Sequence, residues 1–451
     1  MTTAATSPIV FDPYDYAFQE DPYPTYRRCR DEDPLHHNPD LDVWFLTRHA
    51  DIQHAVRSTG TYSNAMGVSI DKRAWGPDAH RVMSFLAMDP PRQTRLRSLV
   101  SKGFTPRRVR ELYPHIQELS QELIEQIKEK GQVDFVEDFA IHIPLIIICE
   151  LMGLDPEQRM AMYRWSDAMM AGDGHIEADD PVLHAAATAF GEYAEMCLTL
   201  IAERRANPGQ HDDLIDVLTS AFDDGALTKE HLALQGIDEE RAAEITGNRL
   251  GDDELLSFLT VLLVAGNETT RNALSGGLLA LSLFPHEAER FVAHLHDDVF
   301  LDKAVDELIR YVSPVMGFIR TVTVDHTYKG VDFKEGDRVL LLYQSANRDE
   351  DVFDRPDELI LDRDPNPHLA FGIGPHFCLG ANLARLEVKT VLQELLHAIP
   401  DIRVTEDAPF DRGASSLVIA IQSLPARYTP ASEAEGACPA TATSGGCPVA
   451  H

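Results

Sequence analysis

The sequence predicts a mainly α-helical domain with small β-sheets. Three observations point to it. Apolar residues recur at helical spacing over most of the 451 residues. Residues 252–284 carry one unbroken helical pattern whose first half is apolar on nearly every face, the mark of a central buried helix. Strand-like alternation is confined to short runs near the N terminus and after residue 315.

Residues 12–30 are rich in Pro and Tyr and read as an extended lead-in. Residues 42–47 alternate as a strand, and 50–58 follow as a short helix. Residues 60–90 mix Gly, Pro, Ser and Met without a period and read mostly as loop. Helices are expected at 92–103, 106–130, 141–152, 156–170 and 183–207, with Pro106 suited to a first turn. Asp252 and Asp253 favour the start of the long helix and Pro285 its end. At 1.5 Å per residue it runs roughly 48 Å. A further helix is expected at 301–312 and short strands at 315–323, 326–328 and 337–342. Residues 349–368, dense in Asp, Pro and Asn, form an irregular stretch too long for a plain connection. The last helix spans 381–399, and a late strand 416–421. No repeat or linker divides residues 1–429, which read as a single domain. Residues 430–451, rich in Ala, Thr, Ser, Gly and Pro, read as a disordered tail.

Forty basic against 73 acidic residues give a net charge of −33. Such a field repels phosphate backbones and anionic membranes, so nucleic acid is excluded as a partner. The apolar runs at 143–148 and 261–265 are too short to span a bilayer, so no membrane anchor is expected. The N terminus lacks the basic start and apolar core of a signal peptide. Six scattered cysteines, with no CxxC pair, fit reduced thiols and a cytoplasmic location.

Three motifs carry the chemistry. In Phe371-Gly372-Ile373-Gly374-Pro375-His376-Phe377-Cys378-Leu379-Gly380 the backbone is bent by two glycines and a proline before a cysteine, and a helix follows at once. The sulfur then lies near helix N–H groups, which favour a thiolate able to ligate a metal. In Glu307-Leu308-Ile309-Arg310 two charges share one helix face. In Ala265-Gly266-Asn267-Glu268-Thr269-Thr270 a carboxylate and a hydroxyl sit side by side in an apolar helix, a costly placement without a purpose.

In this order the motifs resemble those of the cytochrome P450 family, over about residues 13–428. Phe371, Gly374, His376, Cys378 and Gly380 match every position of that family's F-x-x-G-x-H/R-x-C-x-G loop, and Glu307, Arg310 and Arg363 match its structural Glu-Arg-Arg cluster. The resemblance implies the triangular helical prism of that fold around noncovalent haem b, with Cys378 as axial ligand. Electron push from such a thiolate toward O–O cleavage is a general property of this haem class. Glu268 and Thr269 become an acid–alcohol pair that relays protons. Ala265 and Gly266 become the close approach to the cofactor, and Phe371 and Gly380 part of its cradle. Arg97, Arg320 and His376 become propionate contacts. Gln93 departs from the family, since many bacterial relatives have His there; it remains a candidate contact without charge.

The substrate pocket is expected to include Leu262, Ala265, Val315, Met316, Phe318, Ser416 and Leu417, a mostly apolar set suited to a hydrophobic small molecule such as a steroid, terpenoid or branched lipid. Residues 60–86 and the region of Met169 and Met170 are expected to form its lid. No flavin or iron–sulfur segment is visible, so the resemblance implies electrons from a ferredoxin and its NAD(P)H-dependent reductase, with O2 as co-substrate. Arg92, Arg95, Arg107, Arg108 and Arg110 are candidates for a local basic docking patch. The alternatives are a peroxide-driven haem peroxygenase and a haem-based gas sensor or carrier; the acid–alcohol pair argues against both.

Overall fold

The computed structural model describes residues 9–173, 175, 179–221, 250–405, 411–413, 415–418 and 420–436. Its axis is the helix Asp252–Leu283. Three acidic residues occupy its first turn, and the Glu254 carboxylate accepts the Gly251 N–H at 3.1 Å. Both features complement the positive helix end and its unpaired donors. Pro285, at the first position of helix Pro285–Ala293, enforces the break. Against the axis pack helices His142–Leu151, Pro181–Ala206, Asp298–Val312 and Ala381–Ala398. Gly276 permits one close crossing: a Cβ there would lie 2.6 Å from Val312 Cγ1. One large apolar core joins these helices, and it continues into the three-stranded sheet of Gln132–Asp134, Pro425–Arg427 and Arg403–Val404.

A five-stranded sheet lies to one side, in the order His37–Asn38, Val43–Leu46, Arg338–Leu342, Gly317–Val322, Tyr62–Ser63. Val43–Leu46 runs parallel to Arg338–Leu342 with Phe45 opposite Leu340; the other pairs are antiparallel. Every residue of Arg338–Leu342 is buried, as a central strand covered on both faces requires.

The expected helices are present, with 106–130 divided into Pro106–Glu111 and Tyr113–Ile127. The lead-in differs from expectation. It contains helices Tyr16–Glu20 and Tyr23–Glu32. Asp15 caps the first by accepting the Ala17 N–H, and the second is held from far along the chain, Tyr26 Oη donating to Gln344 Oε1 at 2.9 Å and Arg30 to Ser345 and Glu350. The expected loop 60–90 holds helix His80–Met83 and a 3-10 turn Ser84–Ala87. The late strand begins only at Ala420, because 415–418 is drawn into a turn bridging Val418 to Val315. The segment expected to be disordered begins with a short helix, Ala431–Gly436, where Ser432 donates to Glu129; the rest of that expectation, with Cys438 and Cys447, lies outside the described residues. Among the described residues no single helix is long and apolar enough to cross a membrane.

Candidate active site

Residues 349–368 have no regular structure but are not loose. Glu307 and Arg310 are fully buried, with Arg310 Nε and Nη2 donating to the two carboxylate oxygens at 2.7 and 2.8 Å. Arg363 Nε approaches both oxygens at 3.1 and 3.0 Å, and the Ile360 N–H adds another bond at 2.9 Å. The guanidinium groups then serve backbone carbonyls of the stretch: Arg310 those of Asn347 and Pro356, Arg363 that of Asp354. Every charge is paired and hydrogen-bonded, the condition under which a buried ion cluster is tolerated. This cluster fixes the frame from which the cysteine loop departs.

In that loop Gly372 and Gly374 have φ of 64° and 70°, a left-handed geometry that a side chain would strain. The Cys378 N–H closes the turn on the Phe371 carbonyl at 2.9 Å. Cys378 lines a cavity and is exposed to it. Burial pushes the thiol up; the Gly380 and Ala381 N–H groups and the charges of Arg97 and Arg385 oppose this. These amides are the N terminus of helix Ala381–Ala398, so the thiolate-favouring geometry read from the sequence is present. Gln93, expected as a cofactor contact, is engaged with the cysteine loop itself. It is buried and donates to the Pro375 carbonyl at 2.8 Å, tying helix Arg92–Val100 to the loop.

The cavity encloses about 1300 Å³ of atom-free space, part of it open to solvent. Cys378, Phe371, Gly380 and His376 line it from the cysteine loop, and Leu262, Ala265, Gly266 and Thr269 from the central helix. Val315 and Phe318 also line it, as do Phe85, Leu86 and Phe258, so its walls are aromatic and aliphatic. The Thr269 hydroxyl donates to the Ala265 carbonyl at 2.6 Å. Gly266 presents backbone to the cavity, but its missing Cβ faces Ile148, whose Cδ1 would lie 2.6 Å away. Its smallness therefore serves helix packing as well as the cavity.

Two expected pocket residues lie elsewhere. Met316 is buried on the other side of the sheet, in a cluster with Phe11, Tyr26 and Ile319, and Leu417 accepts the Met316 N–H rather than lining the cavity. Ser416 is likewise outside the lining and donates to Asp173. The lid regions do meet: Arg73 donates to the Gly172 carbonyl at 2.9 Å, while Met169 and Met170 are not in the lining. The basic patch is smaller than expected, because Arg95 is buried against Glu254, Arg107 pairs with Glu111 and Arg108 with Asp212.

Beside the cysteine loop, Arg97, Arg320 and His376 converge. Burial, then Arg320, then Arg97, holds the His376 imidazole down at about 3. Arg320 is enclosed, with its own strand's Ile319 carbonyl and Tyr343 as partners. Arg97 Nη1 and His376 Nδ1 are buried without a hydrogen-bond partner among the described residues. Buried orphan donors beside mutually repelling cations call for anionic acceptors. A Cβ on Gly380 would enter open space. A flat cofactor bearing carboxylates and seated on Cys378 fits this donor set.

Glu387 and Thr270 were not singled out from the sequence. Glu387 lines the cavity with a buried carboxyl pushed up to about 8 by burial, with a Thr270 hydrogen bond opposing. The signal was present: Glu387 continues the Leu383, Val391, Leu395 face of its helix, where an apolar residue belongs.

An apolar cavity lined by a cysteine at a helix N terminus is the arrangement a haem-thiolate protein needs. A family model described as cytochrome P450 matches residues 40–399, and the chain belongs to the cytochrome P450 family, whose members bind haem b; it is an oxidoreductase of the monooxygenase type. It is 38% identical over 432 residues to a putative cytochrome P450 123 of Mycobacterium bovis, covering 94% of this chain and 100% of that protein. It is 32% identical over 406 residues to a steroid C26-monooxygenase of Mycolicibacterium smegmatis, covering 90% and 92%. Among solved structures it resembles CYP109E1 from Bacillus megaterium in complex with testosterone, with a TM-score of 0.77, 28% identity and coverage of 91% and 99%.

Proposed function

We propose that the protein hydroxylates a steroid or a similarly compact, branched hydrophobic molecule, using O2 and electrons from a ferredoxin and its NAD(P)H-dependent reductase. The observation that carries this is the apolar part of the cavity wall: Phe85, Phe258, Leu262, Val315 and Phe318 present no charge and few polar groups. Such a wall selects by shape and apolar area rather than by ion pairing. The steroid C26-monooxygenase relative and the testosterone-bound neighbour support the same class.

Haem, when bound, supplies the dioxygen-activating chemistry. The chain's own residues take these parts. Cys378 would ligate the haem iron as a thiolate, a form that the Gly380 and Ala381 amides favour against the burial that raises the free thiol. Arg97, Arg320 and His376 would hold the two propionates, whose charge would offset the repulsion between the two guanidinium groups. The hydrophobic wall excludes bulk water and orients the substrate. Thr269, whose oxygen can still accept while its proton rests on the Ala265 carbonyl, and Glu268 beside it pass protons into the cavity.

The test is a panel of steroids, branched lipids, fatty acids and macrolides screened for the haem Soret shift on binding. Steroids or branched lipids should give the largest shifts; a response confined to fatty acids or macrolides overturns the substrate class. Cys378→Ala should abolish the thiolate-type spectrum of the carbon monoxide complex, and its retention refutes the ligand assignment.

A further inference from the structure

This inference rests on the relay reading of Glu268 and Thr269. The two are neighbours, but successive helical residues point roughly 100° apart. Thr269 lines the cavity and Glu268 does not. The Glu268 carboxylate is instead closed into an ion pair with Arg271, one turn on, and the two side chains are only 4% and 5% exposed. Arg271 Nε, buried, has no hydrogen-bond partner among the described residues. Helix Pro156–Ala171 packs against the central helix. It brings the half-buried Tyr163 and the exposed Asp167 within electrostatic reach, and Glu137, before helix His142–Leu151, acts on Tyr163 in turn.

Among the described residues, the charged groups acting on Glu268 are thus the acid Asp167 and the cation Arg271, with the Tyr163 phenol beside them. Burial and Asp167 both raise the Glu268 carboxyl, and only Arg271 opposes them. A carboxyl that holds its proton permanently cannot take up another; one tied to a fully satisfied cation cannot let go. Arg271 avoids both, because it supplies the charge yet is itself incompletely hydrogen-bonded.

We propose that Arg271 is a positioning residue for Glu268, holding the carboxylate away from the cavity wall and toward the solvent side at Asp167, from where it takes up a proton and delivers it inward to Thr269. The balance is simple: one proton leaves solvent, resides on the Glu268 carboxyl while the pair with Arg271 loosens, and leaves toward Thr269, which restores the carboxylate and the pair. No electrons move in this step.

The test compares Arg271→Met, Arg271→Lys, Glu268→Gln and Thr269→Ala in the haem-loaded protein. Two quantities are read: the infrared band of protonated carboxyl groups against pH, and product formed per NAD(P)H with the steroid that gives the largest Soret shift. Arg271→Met should show a carboxyl band at neutral pH that Glu268→Gln removes in the double variant. Its product yield should fall, and the pH dependence of that yield should move up by about one unit or more. Arg271→Lys should restore most of the yield. Arg271→Gln, neutral but hydrogen-bonding, carries the same test should the Met variant not load haem. If Glu268→Gln and Thr269→Ala lower the yield while Arg271→Met and Arg271→Gln do not, and no new band appears, this inference fails and the relay stands. If Glu268→Gln and Thr269→Ala leave the yield unchanged, the relay itself fails and takes the inference with it.

Discussion

Two buried Glu–Arg pairs, each spaced three residues apart on a helix, divide the labour of this molecule. In Glu307–Arg310 both carboxylate oxygens are shared with Arg363, and the guanidinium groups end on backbone carbonyls of the irregular stretch. In Glu268–Arg271 the guanidinium touches one carboxylate oxygen and its Nε has no hydrogen-bond partner among the described residues. The same two residue types at the same spacing thus give a saturated cluster that frames the cysteine loop and a half-satisfied one beside the cavity. Completeness of hydrogen bonding separates a buried charge pair that is structure from one able to release.

Substitutions that remove one partner sharpen the contrast. Arg310→Met leaves Glu307 buried and short of a partner, at a cost of about 3–5 kcal/mol. Denaturant titration of the haem-loaded protein should show that loss, and an unchanged midpoint breaks the reading of this cluster as a saturated lock. Glu387 supplies the case of a buried carboxyl with no ion-pair partner among the described residues. Its pKa is raised from 4.5 to about 8, so the native state keeps a proton that the unfolded chain gives up. The associated stability is full below about pH 4.5 and is lost as pH rises through about 8. Glu387→Gln should melt like the parent near pH 4.5 and be more stable at pH 8 by a few kcal/mol, of the order set by such a shift; parallel melting curves across that range would falsify it. Arg271→Met should cost less than Arg310→Met, about 1–2 kcal/mol, because the Glu268 carboxyl, already raised by burial, relieves its unpaired charge by taking a proton. Equal losses from the two substitutions would erase the distinction drawn here. The smallest effect belongs to Gln93→Ala, which removes one hydrogen bond to Pro375, worth about 1 kcal/mol. It should show as faster haem loss with the spectrum retained.

The site was legible in the sequence wherever the chemistry is local. The bend before Cys378 needs positive φ at Gly372 and Gly374, and the amides that face the sulfur come from the helix that follows directly. The Glu307–Arg310 spacing is likewise written in one helical turn. Legibility failed where the partner is distant. The bond of Gln93 to Pro375, 282 residues away, has no local signal. The lead-in helix Tyr23–Glu32 was missed because its anchors are Gln344, Ser345 and Glu350. Met316 was read as pocket lining because nothing local says which side of the sheet faces the N-terminal cluster.

By itself, then, the sequence determined the helical class, the buried axis at 252–284 and the thiolate loop, since steric limits on φ and the period of apolar residues act within a few positions. Only the tertiary structure decided which side chains reach the cavity. It turned Thr269 inward and left Glu268 with Arg271, because the facing of a helical residue is set by what packs against it.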